Sequence, residues 1–465
     1  MLRPAIALAL FALPSPLAAQ ALTPAETARI DALVARSLAD TGVPSASIAI
    51  VRGGRIVLTK AYGKQSEARR APDASLPYQI ASISKQFTAA ALLMLEDEGK
   101  LSLDDKVARY LPGISGGDTI TLRQLLNHTS GIQDYWPQDY SFKAMATPVT
   151  PQQIVDRWAK KPLDFAPGTQ WQYSNTGYVV AGMIVEQVAG MPLLDFLQRR
   201  IFQPLGMKAS DQDLAVGPGF PQGYTRHALG PVRVETPAAH GWLFAAGELA
   251  MSAGDLAKWD VARMNRTLLP ADDWAAQETP VRLTDGTDTK YGLGVVSDNR
   301  DGTAFVEHSG EAVGFLSENI VFPEAKTAVV VLTNSWFSDA VERITNGVVA
   351  IVLPPAPAAT ADTAALARAR RVYDQLRAGT LDRALLTDNA NYYYTTAAQA
   401  DYRISLGALG NPTGFVPAGK PRLRGGFLIR PYRVTYPGGR TLAVSTFAEP
   451  SESGRFEQFL VAPTQ

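Results

Sequence analysis

The chain has 465 residues, 46% apolar and 19% charged, a globular balance that excludes a disordered chain. Lys+Arg and Asp+Glu stand at 44 each, so the basic excess of a nucleic-acid or anionic-lipid binder is missing. Cysteine is absent, which excludes both a disulfide scaffold and a lipid-modified N-terminal cysteine.

In chain order, Arg3, the apolar run from Ala5 to Leu13 and the small-residue site Ala19-Gln20-Ala21 predict a cleaved export signal over residues 1–21. The mature protein is then expected in the periplasm or outside the cell, with no later run long enough for a stable membrane span. A Thr-Pro start with Ile30, Leu33 and Val34 at helical spacing predicts an entry helix over Thr23–Ser37. Ser45–Val51 and Ile56–Tyr62, joined by Arg52-Gly53-Gly54-Arg55, predict a β-hairpin.

Gln79 to Phe87 then opens a run in which Ile83, Phe87, Ala90 and Met94 recur at helical spacing. Ala89–Leu95 is apolar throughout, which suits a helix buried on nearly all sides and ended by Gly99. Ser82 falls at its N-terminus, with Lys85 three residues on along the same face. A hydroxyl beside an amine, at the positive end of a helix dipole, meets the needs of a serine nucleophile. Serine is equally a good N-cap, so this stretch alone leaves catalysis and capping open. No other serine in the chain has a lysine three residues downstream.

Leu101 to Thr289 reads as helical and loop-rich. Leu122–Asn127 leads into His128-Thr129-Ser130-Gly131, with Gly131 as the helix terminator, and Gly177–Val188 is a second apolar helix ended by Gly190. Strands return at Tyr291–Val296, Phe305–His308, Phe315–Phe322 and Thr327–Leu332, before a helix at Asp339–Val352. Strands at both ends with helices between predict one sheet assembled from distant segments. The Pro/Ala run at 354–361 is a stiff joint, dividing residues 22–353 from a small α+β domain at 362–465. In that domain a helix ends near Gly379 and Tyr392-Tyr393-Tyr394 read as strand residues. A meander follows over Phe427–Tyr436, Thr441–Phe447 and Arg455–Val461.

Two further motifs follow Ser82-x-x-Lys85: Tyr173-Ser174-Asn175, in a loop before the second apolar helix, and His308-Ser309-Gly310, at the end of a predicted strand. In that order and spacing they resemble the serine β-lactamase and penicillin-binding-protein superfamily, in its class C-like branch of D-aminopeptidases, carboxypeptidases and esterases. The flanking words Leu126–Gly131, Ala246–Leu249 and Asn319–Asn334 are similar too, and the resemblance covers Leu22–Leu353. It implies an α/β (α+β) fold of the β-lactamase/transpeptidase type: an antiparallel sheet of N- and C-terminal strands flanked by helices, plus a mostly helical subdomain. It implies Ser82 as the acylated nucleophile, with Lys85 and Tyr173 sharing the proton traffic, either of them the base. Asn175 would orient substrate and bond Lys85, and the N–H groups of Ser82 and Glu311, the residue after His308-x-Gly310, would hold the oxyanion. The departure is His308, where the β-lactamases carry lysine. A mostly neutral imidazole recognises a carboxylate more weakly, which tilts the reading toward peptidase or esterase.

Other candidates weigh less. Gly113-Ile114-Ser115-Gly116-Gly117 fits a nucleophile elbow but lacks the flanking strand and helix, so it reads as a surface loop. Lys326-Thr327-Ala328 nearly matches Lys-Thr-Gly but falls in a turn, with Ala328 where close approach is needed. His128 reads as a helix-end residue and His227 and His240 as isolated, so no metal site is expected. Tyr135, Trp136, Trp171 and Trp242 are core, rim or cleft residues. The expectation is an exported serine hydrolase without cofactor, acting through an acyl-enzyme on a small peptide, D-amino-acid amide or ester. The alternatives are a class C-like β-lactamase and a non-catalytic muropeptide sensor.

Overall fold

In the computed structural model the chain enters through α1 (Pro24–Thr41), whose first turn is closed by reciprocal bonds between Thr23 and Glu26. The structure describes residues 21–463 apart from 70, 139, 301, 354–362, 420 and 452. The expected Pro/Ala joint, and the export signal up to residue 20, lie outside the described residues. These residues fall into two compact units, Met1–Pro354 and Pro355–Gln465.

In the first unit, β1 (Ser45–Arg52) and β2 (Arg55–Gly63) form a hairpin through Gly53 and Gly54, both at positive φ. Late in the unit come β3 (Val296–Arg300), β4 (Thr303–Ala312), β5 (Phe315–Phe322) and β6 (Thr327–Thr333). The six strands make one antiparallel sheet in the order β2-β1-β6-β5-β4-β3. The first strands therefore pair with the last, and every residue between is looped out of the sheet.

Alternation along the strands loads both faces. Ile48, Ile50, Val329 and Val331 pack with Ile30 and Val34 of α1 and Ile344 and Val348 of the closing helix, Ala340–Val352. Ala49, Val51, Val330 and Leu332 turn the other way, into the larger core around α2 (Lys85–Asp97). Every α2 residue from Lys85 to Leu95 is buried, and Gly99 takes a positive φ just past its end. The remaining helices that matter for the site are α3 (Asn175–Ala189) and α4 (Ala253–Asn265). No single described helix is long and apolar enough to cross a membrane.

Four readings are corrected. Of the expected strand Tyr291–Val296 only Val296 is strand, the first residue of β3; the residues before it turn, because Gly294 (φ 77°) must pass the backbone of Lys85. A Cβ built there would sit 2.8 Å from the Lys85 carbonyl oxygen. His308-Ser309-Gly310 lies inside β4 rather than at a strand end, since the ladder to β5 runs on through Gly310↔Ser317 to Ala312↔Phe315. The helix before His128 ends at Leu126, and His128 itself takes the left-handed conformation (φ 62°), three residues earlier than the glycine expected to do so.

In the second unit Tyr392 and Tyr393 lie on a short helix, Asp388–Tyr393, capped by Thr387, rather than on a strand. Its neighbours are the helices Thr363–Ala378 and Thr396–Gly407 and a sheet containing Phe427–Thr435, Thr441–Ala448 and Phe456–Pro463. They enclose a separate core that includes Val372, Tyr373, Val434 and Phe459.

Candidate active site

Ser82 sits in a single 3₁₀ turn, Ala81–Ser84, that runs straight into α2. Ala81 holds a φ of 49°, a conformation side-chain-bearing residues rarely adopt, and it turns the chain sharply just before the serine. Lys85 is the first residue of α2, and its Nζ donates to Ser82 Oγ at 3.0 Å, Asn175 Oδ1 at 2.8 Å and the Ala246 carbonyl at 2.7 Å. Burial lowers its pKa to about 7, and the negative charge of Asp134 opposes that only in part. The Tyr173 ring centroid lies 4.7 Å from Nζ, and its phenol lies near enough to Ser82 to feel that hydroxyl electrostatically. Burial raises the Tyr173 pKa well above the ordinary phenol value, so the phenol keeps its proton at neutral pH.

Asn175 opens α3, whose N-cap is Ser174. Its amide is oriented by Asp134, which accepts from Asn175 N at 3.0 Å and from Asn175 Nδ2 at 3.2 Å. A carboxylate can only accept here, so the Asn175 oxygen is turned toward Lys85. Burial raises the Asp134 pKa, against the pull of these donors, the Trp136 N–H and Lys85.

β4 forms the facing wall. Gly310 passes so close to the serine turn that a Cβ would lie 2.2 Å from the Ile80 carbonyl oxygen and 2.3 Å from Ser317 Oγ. Glu311 follows, and it lines with Ser82 a cavity of about 370 Å³. Asp134, Gln138, Gln172, Tyr173 and Asn175 complete its polar lining, and Trp136, Pro137 and Leu243 are among its apolar lining.

His308 is not part of that lining. It is 5% exposed, and burial with the nearby Lys85 charge lowers its pKa to about 4. The imidazole, expected to be mostly neutral and a weak partner for a carboxylate, is enclosed behind the wall that the cavity lining forms. His128 does not meet helix-end carbonyls; its Nδ1 accepts the Ser174 N–H at 3.1 Å. His240 is not isolated either, lying 2.7 Å from Asp213 Oδ2 on an exposed loop with Asp211 nearby. Of the aromatics, Trp136 reaches the cavity while Tyr135 and Trp242 are core, joined by a Tyr135 hydroxyl to Trp242 carbonyl bond. Gly113–Gly117 is loop, and Lys326 sits in the β5–β6 turn.

Three groups escaped the sequence reading. Asp134 has no motif of its own. Ala246 acts through its carbonyl, which any residue supplies, although its flanking word was visible. Tyr291 was hidden in a segment read as strand.

A half-buried serine bonded to a buried lysine, a tyrosine beside the same hydroxyl and a cavity lined by both Ser82 and Tyr173 describe a serine hydrolase. The Beta-lactamase family matches residues 30–353, and the chain belongs to that family. It is 29% identical to penicillin-binding protein 4* of Bacillus subtilis strain 168 over 319 residues, 62% of this chain and 67% of that one. It is 30% identical to the D-aminopeptidase of Brucella canis over 325 residues, 67% of this chain and 60% of the relative. A D-stereospecific amidohydrolase from Streptomyces sp. superposes with a TM-score of 0.59 at 30% identity, covering 69% of this chain and 97% of that structure.

Proposed function

We propose that this protein is an exported hydrolase that cleaves D-amino-acid amides and short peptides bearing a free N-terminal D-residue, through an acyl-enzyme on Ser82. The observation that carries the substrate class is the charge of the cavity. Its described lining includes two acidic residues, Asp134 and Glu311, and no lysine, arginine or histidine. Such a wall favours an α-ammonium group and offers a substrate carboxylate no cation to meet. The D-configuration is supported by the D-aminopeptidase and D-stereospecific amidohydrolase relatives, and export by Arg3, the Ala5–Leu13 core and Ala19-Gln20-Ala21.

In this reading neutral Lys85 is the base. Two of its three partners, the Asn175 and Ala246 carbonyl oxygens, can only accept, so they fix two N–H bonds. The third contact, with Ser82, is the one that reverses when the ammonium loses a proton: Ser82 O–H then donates to the amine lone pair. A pKa of about 7 makes both forms available at neutral pH. Ser82 Oγ bonds to the substrate carbonyl carbon as its proton passes to Lys85. The oxyanion is held by the N–H groups of Ser82 and Glu311, each donor typically worth about a hundred- to thousand-fold in rate. The protonated Tyr173 phenol relays a proton to the leaving amine as the C–N bond breaks. Water then cleaves the Ser82 ester, returning the serine proton and releasing the acid.

The test is a panel on wild type and Ser82→Ala: D-Ala-p-nitroanilide, its N-acetyl derivative, a D-Ala-D-Ala peptide, p-nitrophenyl butyrate and nitrocefin. The free-amine D-anilide should lead in kcat/KM and fall by about a million-fold in Ser82→Ala. Preference for the N-acetyl compound or nitrocefin would refute the substrate class, and a Ser82 adduct without turnover of any compound would favour a sensor.

A further inference from the structure

Tyr291, 3% exposed at the turn before β3, stands between two histidines that the proposed chemistry leaves without a role. Its Oη lies 3.2 Å from His128 Nε2 and 2.8 Å from His308 Nε2. The second nitrogen of each ring meets the main chain. His128 Nδ1 takes the Ser174 N–H at 3.1 Å, and a backbone amide can only donate, so this nitrogen carries no proton. His308 Nδ1 lies 2.5 Å from the Ser309 carbonyl oxygen, which can only accept, so this nitrogen carries one.

We propose that Tyr291 is a positioning residue that closes a proton-ordered bridge between the two walls of the active site. Ser174 N–H donates to His128, His128 Nε2–H to Tyr291 Oη, Tyr291 O–H to His308 Nε2, and His308 Nδ1–H to the Ser309 carbonyl. Each link then has one donor and one acceptor, and the main chain at both ends fixes the direction. The rings must be neutral and of opposite tautomer, His128 protonated at Nε2 and His308 at Nδ1. Protonating His308 at Nε2 would leave the Tyr291 hydroxyl accepting twice and its own proton without a place in the bridge.

The surroundings agree. The titratable groups facing the bridge are Lys85, Tyr173 and Tyr178, and the Lys85 charge together with burial holds both rings below the ordinary imidazole range. Tyr173 lies against His128 with ring centroids 4.2 Å apart. One end of the bridge is the residue between Tyr173 and Asn175. The other is the peptide before Gly310 and Glu311, the turn of strand assigned to the oxyanion. The bridge thus sets the distance between the proton donor and the oxyanion N–H, a spacing on which rate depends steeply. The kinetic part of the inference rests on the Ser82 mechanism, whereas the tautomers do not.

The chain has four histidines, so the His227→Gln/His240→Gln double variant leaves only the bridge pair for ¹⁵N-imidazole NMR. The expected spectrum shows one ring protonated at Nε2 and one at Nδ1, with neither changing between about pH 5 and 8, around the ordinary imidazole pKa. The same tautomer in both rings, or a titration midpoint near the ordinary value of about 6.5, would overturn the bridge. Tyr291→Phe should then slow Ser82 labelling by a fluorophosphonate, and D-anilide kcat, by about 10- to 100-fold with KM little altered. Labelling at the wild-type rate would overturn the positioning role. Expected tautomers in a protein inert toward D-anilides would sink the substrate reading and leave the bridge standing.

Discussion

Two buried cations flank the first turn of α2, and they are handled in opposite ways. Lys85 touches three neutral oxygens and no carboxylate, so burial drags its pKa down to about 7. Arg263 reaches in from α4, 1% exposed in its side chain, and bonds Gln86 Oε1 at 3.0 Å, Gln277 Oε1 at 2.9 Å and Glu278 Oε1 at 3.0 Å. Burial lowers its pKa too, but Glu278 opposes the shift and a guanidinium does not give up its proton near neutrality. Depth alone therefore does not make a buried cation reactive. The lack of a touching counter-charge, in a group able to lose a proton, does.

Lys85→Arg is the largest test of that difference, since it keeps a cation and removes the proton exchange. D-anilide turnover should fall by about 10³- to 10⁴-fold, the upper range for general-base loss; an active Lys85→Arg enzyme would make Tyr173 the base. Next, Arg263→Met should cost about 1–3 kcal/mol in urea denaturation, because the buried Gln277 Oε1 loses its donor, while Arg266 still pairs Glu278. Lys85→Met should not destabilise. The Lys85 pKa lies at about 7 in the fold against a reference of 10.5, so its burial penalty is full below pH 7 and fades as pH rises toward 10.5. Lys85→Met should accordingly gain most over wild type below pH 7, and a gain that grows with pH would contradict this account.

Asp134 sharpens the comparison from the anionic side. Asp134→Asn should raise KM for a free-amine D-anilide by about 10- to 100-fold, one to two factors of ten for a partly buried charge pair. The N-acetyl derivative should change far less. The smallest effect concerns pH. The acid limb of kcat/KM should have a midpoint of about 7 in wild type and move to lower pH in Asp134→Asn, since Asp134 holds the Lys85 proton on. A limb moving the other way would mean that another group is titrating.

Much of this was legible along the chain. The α1 cap, the β1–β2 hairpin and the wholly buried α2 follow from local periodicity and turn chemistry. Ser82 and Lys85 were visible because both lie on one turn, and Tyr173 and Asn175 because they share a triplet beside a helix start. Local chemistry also points the wrong way in two places: it ends at Gly310 a strand that a neighbouring strand extends, and it favours strand at Tyr392–Tyr393 where the Thr387 cap starts a helix.

The sequence by itself determined the nucleophile's turn, the family and the order of the motifs, because each is written in residues close together. Tertiary structure alone decided the charge of the cavity, the proton state of Lys85 and the burial of His308. Those depend on Asp134, the Ala246 carbonyl and Tyr291, brought in from distant segments when the first and last strands paired. A pKa is set by everything within a few ångströms in space, and chain spacing carries no record of that company.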